Sequence, residues 1–399
     1  MLIGIDASRA TAARRTGTET YSLCLIRNLI RLGSEHRFRL YTNPVSGAKS
    51  DVPKVAGPAT APLFWDDSAP ANVELRAIPF PRLWTHLRLS VEMASHAPDV
   101  LFVPAHVLPL IHPRRSVVTV HDLGYLAYPE AHRTGDRRYL DWSTRWNARR
   151  ATVILADSAA TRADLIRAYD VDGRKIRVIY LGRDELLTPV RDDQTLAAAR
   201  AHCGIASRYL LYVGTLQPRK NLGRVIEAFA RLAGQPVLSG VQLVLAGKRG
   251  WLYTDLFAQV ERLGLAGRVL FPGYIADADL PALLSGALGF IFPSLYEGFG
   301  IPVLEAGACG VPVITSNTSS LPEVAGDAAL LVDPHDVDAI AEAMHRLVTD
   351  EALRTELARR GLENVQRFSW EKCARETLAV LLEAGNSKLE ASTSWPKST

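Results

Sequence analysis

Cysteine is scarce in this chain of 399 residues: there are four, at Cys24, Cys203, Cys309 and Cys373. No two stand at metal-ligand spacing, so neither a metal knuckle nor a disulfide scaffold is indicated, and reduced thiols in a cytoplasmic setting are expected. Long apolar runs are missing too. None approaches the ~18 residues a spanning helix needs. The opening Met1-Leu-Ile-Gly-Ile-Asp6 runs straight into a strand pattern with no basic head, so no signal peptide is expected. Charge of one sign is not in excess: 46 Lys and Arg face 42 Asp and Glu, a net +4. That balance suits anionic ligands or a membrane surface and lacks the dense basic stripe of a nucleic-acid binder. No Gly-x-Gly-x-x-Gly occurs, which removes an ordinary NAD fingerprint, and there is no internal repeat. What is present is 48% hydrophobic and 22% charged, the balance of a globular protein with a sizeable core in two or three domains.

The stretch from Phe292 to Val313 organises the rest. It reads Phe292-Pro-Ser-Leu-Tyr-Glu297-Gly298-Phe299-Gly300-Ile301-Pro302-Val-Leu-Glu305-Ala-Gly-Ala-Cys-Gly310-Val-Pro-Val. A buried strand end leads into a glycine-rich loop and a short helix. Pro302 suits the first helical position, where its missing N–H costs nothing. Gly310 stops the helix, and Val311-Pro-Val-Ile-Thr begins the next strand. Glu297 then lies in the loop and Glu305 about one turn into the helix. Gly298 and Gly300 leave backbone N–H groups open at a helix N-terminus, whose partial positive charge suits a phosphate. Two flanking carboxylates suit a ligand carrying both phosphate and hydroxyls. The competing reading is a plain loop-to-helix turn with a solvated glutamate.

Elsewhere the pattern alternates strands and helices. Leu2–Asp6 reads as a strand, Arg9–Thr16 as a basic polar loop, and the run from Tyr21 as a helix ended by Gly33. From the residues alone Gly17 is a turn residue. Residues 44–71 form a variable loop, expected to be mobile. Asn72–Ile78, Pro98–Pro104, Ser116–Leu123, Ala151–Ser158 and Lys175–Gly182 read as buried parallel strands. His121 closes one of them, where ligands of open α/β sheets lie; by itself it reads as a structural histidine capping a loop, and the functional alternative is to donate to a ligand hydroxyl or help orient a leaving group. Thr134–Arg150 is a helical pattern dense in arginine, with Tyr139, Trp142 and Trp146 on one face. A core-facing stripe is the favoured reading. A basic-aromatic patch for an anionic lipid surface, spanning 137–150, is the sharper one and requires exposed tryptophans. Arg208–Gly214 starts a second sheet and feeds Thr215-Leu-Gln-Pro-Arg219-Lys220-Asn221 and a helix through Ala233. Arg offers a bidentate fork and Lys a point charge, so the pair suits a diphosphate. Val241–Gly247 and Val269–Ile275 read as strands, 279–287 as a helix, Thr318–Glu323 as a polar loop, and 336–349 and 351–368 as helices. A last helix starts at Phe368 and runs through about Leu382, followed by a polar tail from Gly385, expected to be disordered.

Glu-Gly-Phe-Gly-Ile-Pro-x-Leu-Glu-Ala, with seven residues between its glutamates, resembles the signature of the retaining, nucleotide-sugar-dependent glycosyltransferases of family 4. The likeness covers nearly the whole chain and is strongest over 208–335. Its bacterial mannosyl- and hexosyltransferases of polysaccharide assembly are the nearest in pattern. The resemblance implies the GT-B fold, α/β with two facing Rossmann-like domains of parallel sheet and a C-terminal helix crossing back to the first. Expected boundaries are 1–187 with a returning helix 369–384, a linker 188–207, a donor-binding domain 208–368 and a tail 385–399. The resemblance also assigns roles. His121, in His-Asp-Leu-Gly-Tyr-Leu-x-Tyr-Pro-Glu, faces the transferred sugar. Arg219 and Lys220, in Gly214-x-Leu-x-Pro-Arg-Lys-Asn, neutralise the pyrophosphate. Tyr274 and Ile275 hold the base through backbone groups. Gly17 approaches the donor phosphates and the acceptor. Asp157-Ser158 opens onto the cleft.

The expected activity is transfer of a hexose from a nucleotide diphosphate sugar to a glycan or lipid-linked acceptor. Glu305 takes the ribose hydroxyls, Gly298, Phe299, Gly300 and Ile301 present N–H groups, and Glu297 holds a sugar hydroxyl. No residue is an obvious nucleophile, so front-face displacement is expected. Asp-x-Asp occurs at 170–172, 277–279 and 336–338 without partner ligands, so no metal or other cofactor is expected. GDP-mannose is favoured over UDP-glucose as donor. The alternatives are a nucleotide-sugar epimerase, a phosphorylase, or a non-catalytic sugar-nucleotide-binding subunit. No nucleic-acid partner is expected, and the location is cytoplasmic or at the inner membrane face.

Overall fold

Short aliphatic runs, too brief for helices and bounded by glycine and proline, pair into two parallel sheets. In the computed structural model, residues 1–12, 17–44, 64, 70–81, 83–105, 107–131, 134–248, 250 and 254–386 are described. The expected mobile loop over 44–71 and the expected tail from 385 lie almost wholly outside them. The first sheet holds β1 (Leu2–Asp6), β2 (Arg37–Thr42), β3 (Val73–Ala77), β4 (Val100–Val103), β5 (Ser116–Val120), β6 (Val153–Ala156) and β7 (Ile176–Val178), in the order β3-β2-β1-β4-β5-β6-β7. The second holds β8 (Tyr209–Val213), β9 (Gln242–Ala246), β10 (Val269–Leu270), β11 (Gly289–Phe292), β12 (Val313–Ser316) and β13 (Ala329–Val332), in the order β10-β9-β8-β11-β12-β13.

These orders fix where a ligand can go. In the second sheet the winding reverses between β8 and β11, which pair in parallel with Leu210 opposite Gly289. Helices leave neighbouring strands to opposite faces there and open a crevice beyond the strand ends. β8 runs into the Arg219-Lys220 turn and β11 into the Glu297 loop, so the two charged elements expected from sequence flank that point.

Contacts divide the chain into two compact units. One comprises Met1–Thr119, Trp146–Leu155 and the chain from Ala374; the other comprises Val120–Arg145 and Ala156–Cys373. The last helix, Trp370–Asn386, thus belongs from Ala374 onward to the unit that contains β1. In the second unit, helix Leu222–Ala233 buries Leu222, Val225, Ile226, Phe229 and Leu232, the i, i+3, i+4, i+7 stripe of an amphipathic helix. Each such side chain contributes about 1.5–3 kcal/mol on burial. That anchoring fixes the turn just before it.

Several boundaries differ from expectation. β2 was not foreseen, nor helix Thr254–Arg262. The strand expected over 269–275 stops after Leu270, because Pro272 has no N–H for the ladder. The polar loop 318–323 runs into a short helix, Leu321–Ala325. Gly17 is not a loop residue: it opens helix Gly17–Leu32, four residues before the expected start. In helix Ile301–Ala308, Ile301 comes first and Pro302 second, still within the first turn, where no N–H is needed.

Candidate active site

The turn after β8 is held by Asn221, which sits in left-handed backbone (φ 63°), a conformation asparagine tolerates. Its amide donates to Pro293 O (3.1 Å) and Pro334 O (2.6 Å), tying the turn to the end of β11. Arg219 and Lys220 are thereby set against Glu297. Lys220 Nζ lies 2.6 Å from Glu297 Oε1, and Arg219 Nη1 lies 3.0 Å from Oε2. Lys220 Nζ also rests over the Phe292 ring, 4.7 Å from its centre. All three charged groups are largely buried. Burial pushes the Glu297 carboxyl up, but Lys220 and Arg219 outweigh it and pull the pKa down to about 2. Lys220 is moved below its ordinary value by burial, which its partner Glu297 offsets only in part.

The loop after Glu297 is asymmetric. Its carbonyls are occupied. Arg219 donates to Tyr296 O, and the Ser320 hydroxyl to both Glu297 O (2.9 Å) and Phe299 O (2.6 Å). Thr161 Oγ1 donates to Gly298 O (3.3 Å), and Val303 N to Gly300 O (2.9 Å). Beneath them Ser294 Oγ reaches Arg219 O (3.0 Å) and Ser316 Oγ reaches Ser294 O (2.5 Å). Among the described residues, the N–H groups of Gly298, Phe299, Gly300 and Ile301 donate to nothing. Gly300 has φ 119°, which only glycine adopts without strain. At Gly298 a Cβ would stand 2.1 Å from His121 O, so the backbone of this loop lies directly against the chain at the end of β5. The Phe299 ring is buried against Tyr180 and Phe368, so only its backbone can meet a ligand.

Glu305, one turn into the helix, makes no ion pair or hydrogen bond among the described residues. Burial, then Asp184 and Asp277, push its pKa up to about 7. A helix N-terminus beside a pair of cations therefore faces one firmly ionised carboxylate and one that titrates near neutrality.

His121 Nδ1 lies 2.6 Å from Asp157 Oδ2. The two residues close adjacent strands, β5 and β6. Asp157 is almost fully buried; burial raises its pKa, and His121 opposes the rise. With Asp157 accepting from Nδ1, a neutral ring carries its lone pair on Nε2. The expected donation to a sugar hydroxyl therefore requires the imidazolium. Tyr296 secures this corner: its hydroxyl donates to Asp164 Oδ2 (2.7 Å) and accepts from Leu123 N (3.3 Å).

The remaining expected residues divide. Gly214 directly follows β8, and its N–H is taken by Ala246 O. Ile275 is buried, and Tyr274 is exposed and bonded to Asp277. Gly17 lies in the other unit, exposed, at the start of its helix. The core-facing reading of the helical aromatics is overturned for Tyr139 and Trp142, which are exposed; Trp146 is half-buried and donates to Leu108 O (3.1 Å). Five of the six aspartates in the three Asp-x-Asp triplets are engaged in holding the fold. Asp172 and Asp336 cap helices, Asp277 holds Tyr274, Asp279 pairs with His202, and Asp338 pairs with Arg231. No group of three or more potential metal ligands is found among the described residues. Asn221, Tyr296 and the serines at 294, 316 and 320 were given no role from sequence, and Asp157 only the expectation that it opens onto the cleft. Asp157 was the most accessible of them, since it ends a strand as His121 does.

Comparison with known proteins agrees with this geometry. Residues 15–185 match the family described as Glycosyltransferase Family 4, and residues 205–364 match Glycosyl transferases group 1. The chain is 37% identical over 264 residues to O-antigen chain mannosyltransferase B of Escherichia coli, covering 66% of this chain and 69% of that protein. It is 29% identical over 304 residues to the serotype-specific mannosyltransferase WbdA of Escherichia coli, taking in 71% of this chain but only 37% of WbdA. In fold it resembles sucrose-phosphate synthase from Thermosynechococcus elongatus, with a TM-score of 0.72 at 23% identity, over 96% of this chain and 98% of that one. With its paired parallel sheets and its two-part family match, the chain belongs to family 4 of the glycosyltransferases, on the GT-B fold.

Proposed function

We propose that this glycosyltransferase moves mannose from GDP-mannose to a glycan or lipid-linked acceptor, with retention of configuration and without a metal ion. The observation that carries the reading is the loop at 297–301. Its carbonyls are tied down, its N–H groups donate to nothing among the described residues, and two buried cations stand beside it. Such a surface suits pyrophosphate. Arg219 and Lys220 neutralise the charge that grows on the leaving phosphate as the anomeric C–O bond breaks, usually the largest electrostatic contribution to such a step. Glu297, which now holds both cations, yields them in part and takes a sugar hydroxyl. Its depressed pKa makes it a weak nucleophile, which favours front-face displacement over a covalent intermediate. Glu305 takes the ribose hydroxyls. His121, oriented by Asp157, faces the transferred sugar, backbone at Tyr274 and Ile275 holds the base, and Gly17 approaches the donor phosphates and the acceptor. The mannosyltransferase names of the relatives support mannose.

Among the described residues no helix is long and apolar enough to cross a membrane. Exposed Tyr139 and Trp142, set among the arginines of helix Thr134–Arg150, support a peripheral contact. Calorimetry with GDP, UDP and ADP tests the base, and tight binding of UDP alone would overturn the donor. Product NMR reads the anomeric configuration, and inversion would sink the retaining step. Transfer in excess chelator is expected to match that without it; strict dependence on a divalent ion would refute the metal-free mechanism.

A further inference from the structure

Ser319 stands where the backbone asks for glycine. Its φ is 53°, in the left-handed region. Among the described residues other than glycine, Leu83, Asp170 and Asn221 share that sign. Aspartate and asparagine visit the region because their short polar side chains bond locally, whereas serine carries the ordinary Cβ penalty. A glycine at this position would be unstrained. Strain kept in a loop beside a ligand site points to function when the side chain retained there has a task.

That task differs from those of its neighbours. Thr318 Oγ1 donates to Leu295 O (3.5 Å), and Ser320 Oγ donates to Glu297 O (2.9 Å) and Phe299 O (2.6 Å). Ser319 Oγ instead accepts from Glu297 N at 3.1 Å. The open amides at 298–301 therefore start one residue late, because the N–H of Glu297 is already taken. Having accepted, the Ser319 hydroxyl still holds its own proton, and among the described residues that proton meets no acceptor. One N–H is thus exchanged for one O–H at the head of the same row. A hydroxyl that accepts a hydrogen bond is polarised and donates more strongly. Ser319 is half-buried, so part of it remains open to a ligand. Arg219 and Lys220, both held at Glu297, favour an anionic oxygen there over a neutral one.

We propose that the Ser319 hydroxyl donates to a phosphate oxygen of the diphosphate, as a further donor-binding group beside the amides of 298–301; this rests on the nucleotide-sugar reading of the same site. The test is calorimetry of the wild type, Ser319→Ala and Ser319→Gly with GDP, UDP and inorganic pyrophosphate. Pyrophosphate reports the anion contact whichever base the donor carries. Both variants lose the hydroxyl, and a hydrogen bond to a charged oxygen carries about tenfold to a hundredfold in affinity. They differ in backbone: glycine relieves the left-handed strain and alanine does not, so Ser319→Gly should have the higher denaturant midpoint of the two. The expected result is an equal loss of nucleotide and pyrophosphate binding in both variants despite unequal stability. If alanine prevents folding, Ser319→Gly decides alone, by a loss of at least about tenfold. Wild-type affinity in the variants overturns the proposal. A loss that follows stability, large in Ser319→Ala and small in Ser319→Gly, also overturns it, and makes the hydroxyl a brace for Glu297 N only. A loss seen with GDP-mannose and absent with GDP and pyrophosphate overturns it in favour of a sugar hydroxyl as partner. If the wild type binds none of GDP, UDP and pyrophosphate, the nucleotide-sugar reading falls and the Ser319 contact with it; if wild type and variants bind them equally, the Ser319 contact alone falls.

Discussion

Glu305 offers the sharpest test, because the same carboxylate that is to hold the ribose is held near its titration point. Its pKa is about 7 against an ordinary 4.5, with burial the larger cause and Asp184 and Asp277 adding to it. The sign follows from the state that each form prefers. Between pH 4.5 and 7 the unfolded chain ionises this group while the folded chain resists, so stability falls across that window. At about 1.36 kcal/mol per pH unit, the full loss is about 3 kcal/mol. Ribose hydroxyls donate to a carboxylate, so the donor binds the ionised form. If only that form binds, the competent fraction rises from about one in eleven at pH 6 to about ten in eleven at pH 8, an affinity gain of about tenfold. Calorimetry with an intact nucleotide diphosphate sugar is the assay of choice, since it has no phosphate that titrates in this range. Glu305→Gln should bind weakly with no such slope, and should be up to about 3 kcal/mol more stable than wild type at pH 8 without ligand. Asp277→Asn removes one neighbouring charge and should move the wild-type curve to lower pH. A flat wild-type profile, or the same slope in Glu305→Gln, would refute the assignment.

Glu297→Ala should abolish transfer and cost about 3–5 kcal/mol in denaturant unfolding, because Lys220 and Arg219 remain buried without their carboxylate; wild-type stability would show the pair to be idle. In wild type, Glu297 contributes stability that is full above pH 4.5 and lost only as pH falls through about 2, readable in acid unfolding. Gly298→Ala should lose activity and at least about 2 kcal/mol, since its Cβ would collide with His121 O. Gly17→Ala, with open space around the new Cβ, should keep stability within about 0.5 kcal/mol, so any fall in its activity reports a ligand at that helix. Asp157→Asn should lower kcat by about 100-fold with little change in donor KM, through loss of the imidazole's orientation, and unchanged kcat would separate His121 from the chemistry.

The sequence was most legible where period and motif coincide. Helix Leu222–Ala233 announces itself by its apolar stripe, and the Glu297 loop by glycine and proline at fixed offsets. The strands β8 and β11 that carry the two charged turns read as aliphatic runs, but their adjacency does not, because strand order is a property of the sheet. That is also why the His121–Asp157 pair was hidden: the residues are 36 positions apart and meet only because β5 and β6 are neighbours. β2 was missed because Arg37-Phe-Arg-Leu-Tyr-Thr interleaves cations with its apolar residues. Helix Thr134–Arg150 misled by inversion. The face it buries carries Ser143, Thr144 and Asn147, with Ser143 donating to Leu140 O and Asn147 accepting from Leu108 N, while Tyr139 and Trp142 are exposed. Hydrophobicity alone assigns those faces the wrong way round.

The serines under the 297–301 loop set a constraint on how this enzyme can diversify. Because hydroxyls at 294, 316 and 320 lock the peptide planes during folding, the loop surrenders little conformational freedom when an anion arrives. A new sugar or acceptor can be accommodated by altering side chains around the rim. Replacing one of those hydroxyls would instead strand a buried carbonyl and loosen the amide surface for every donor alike.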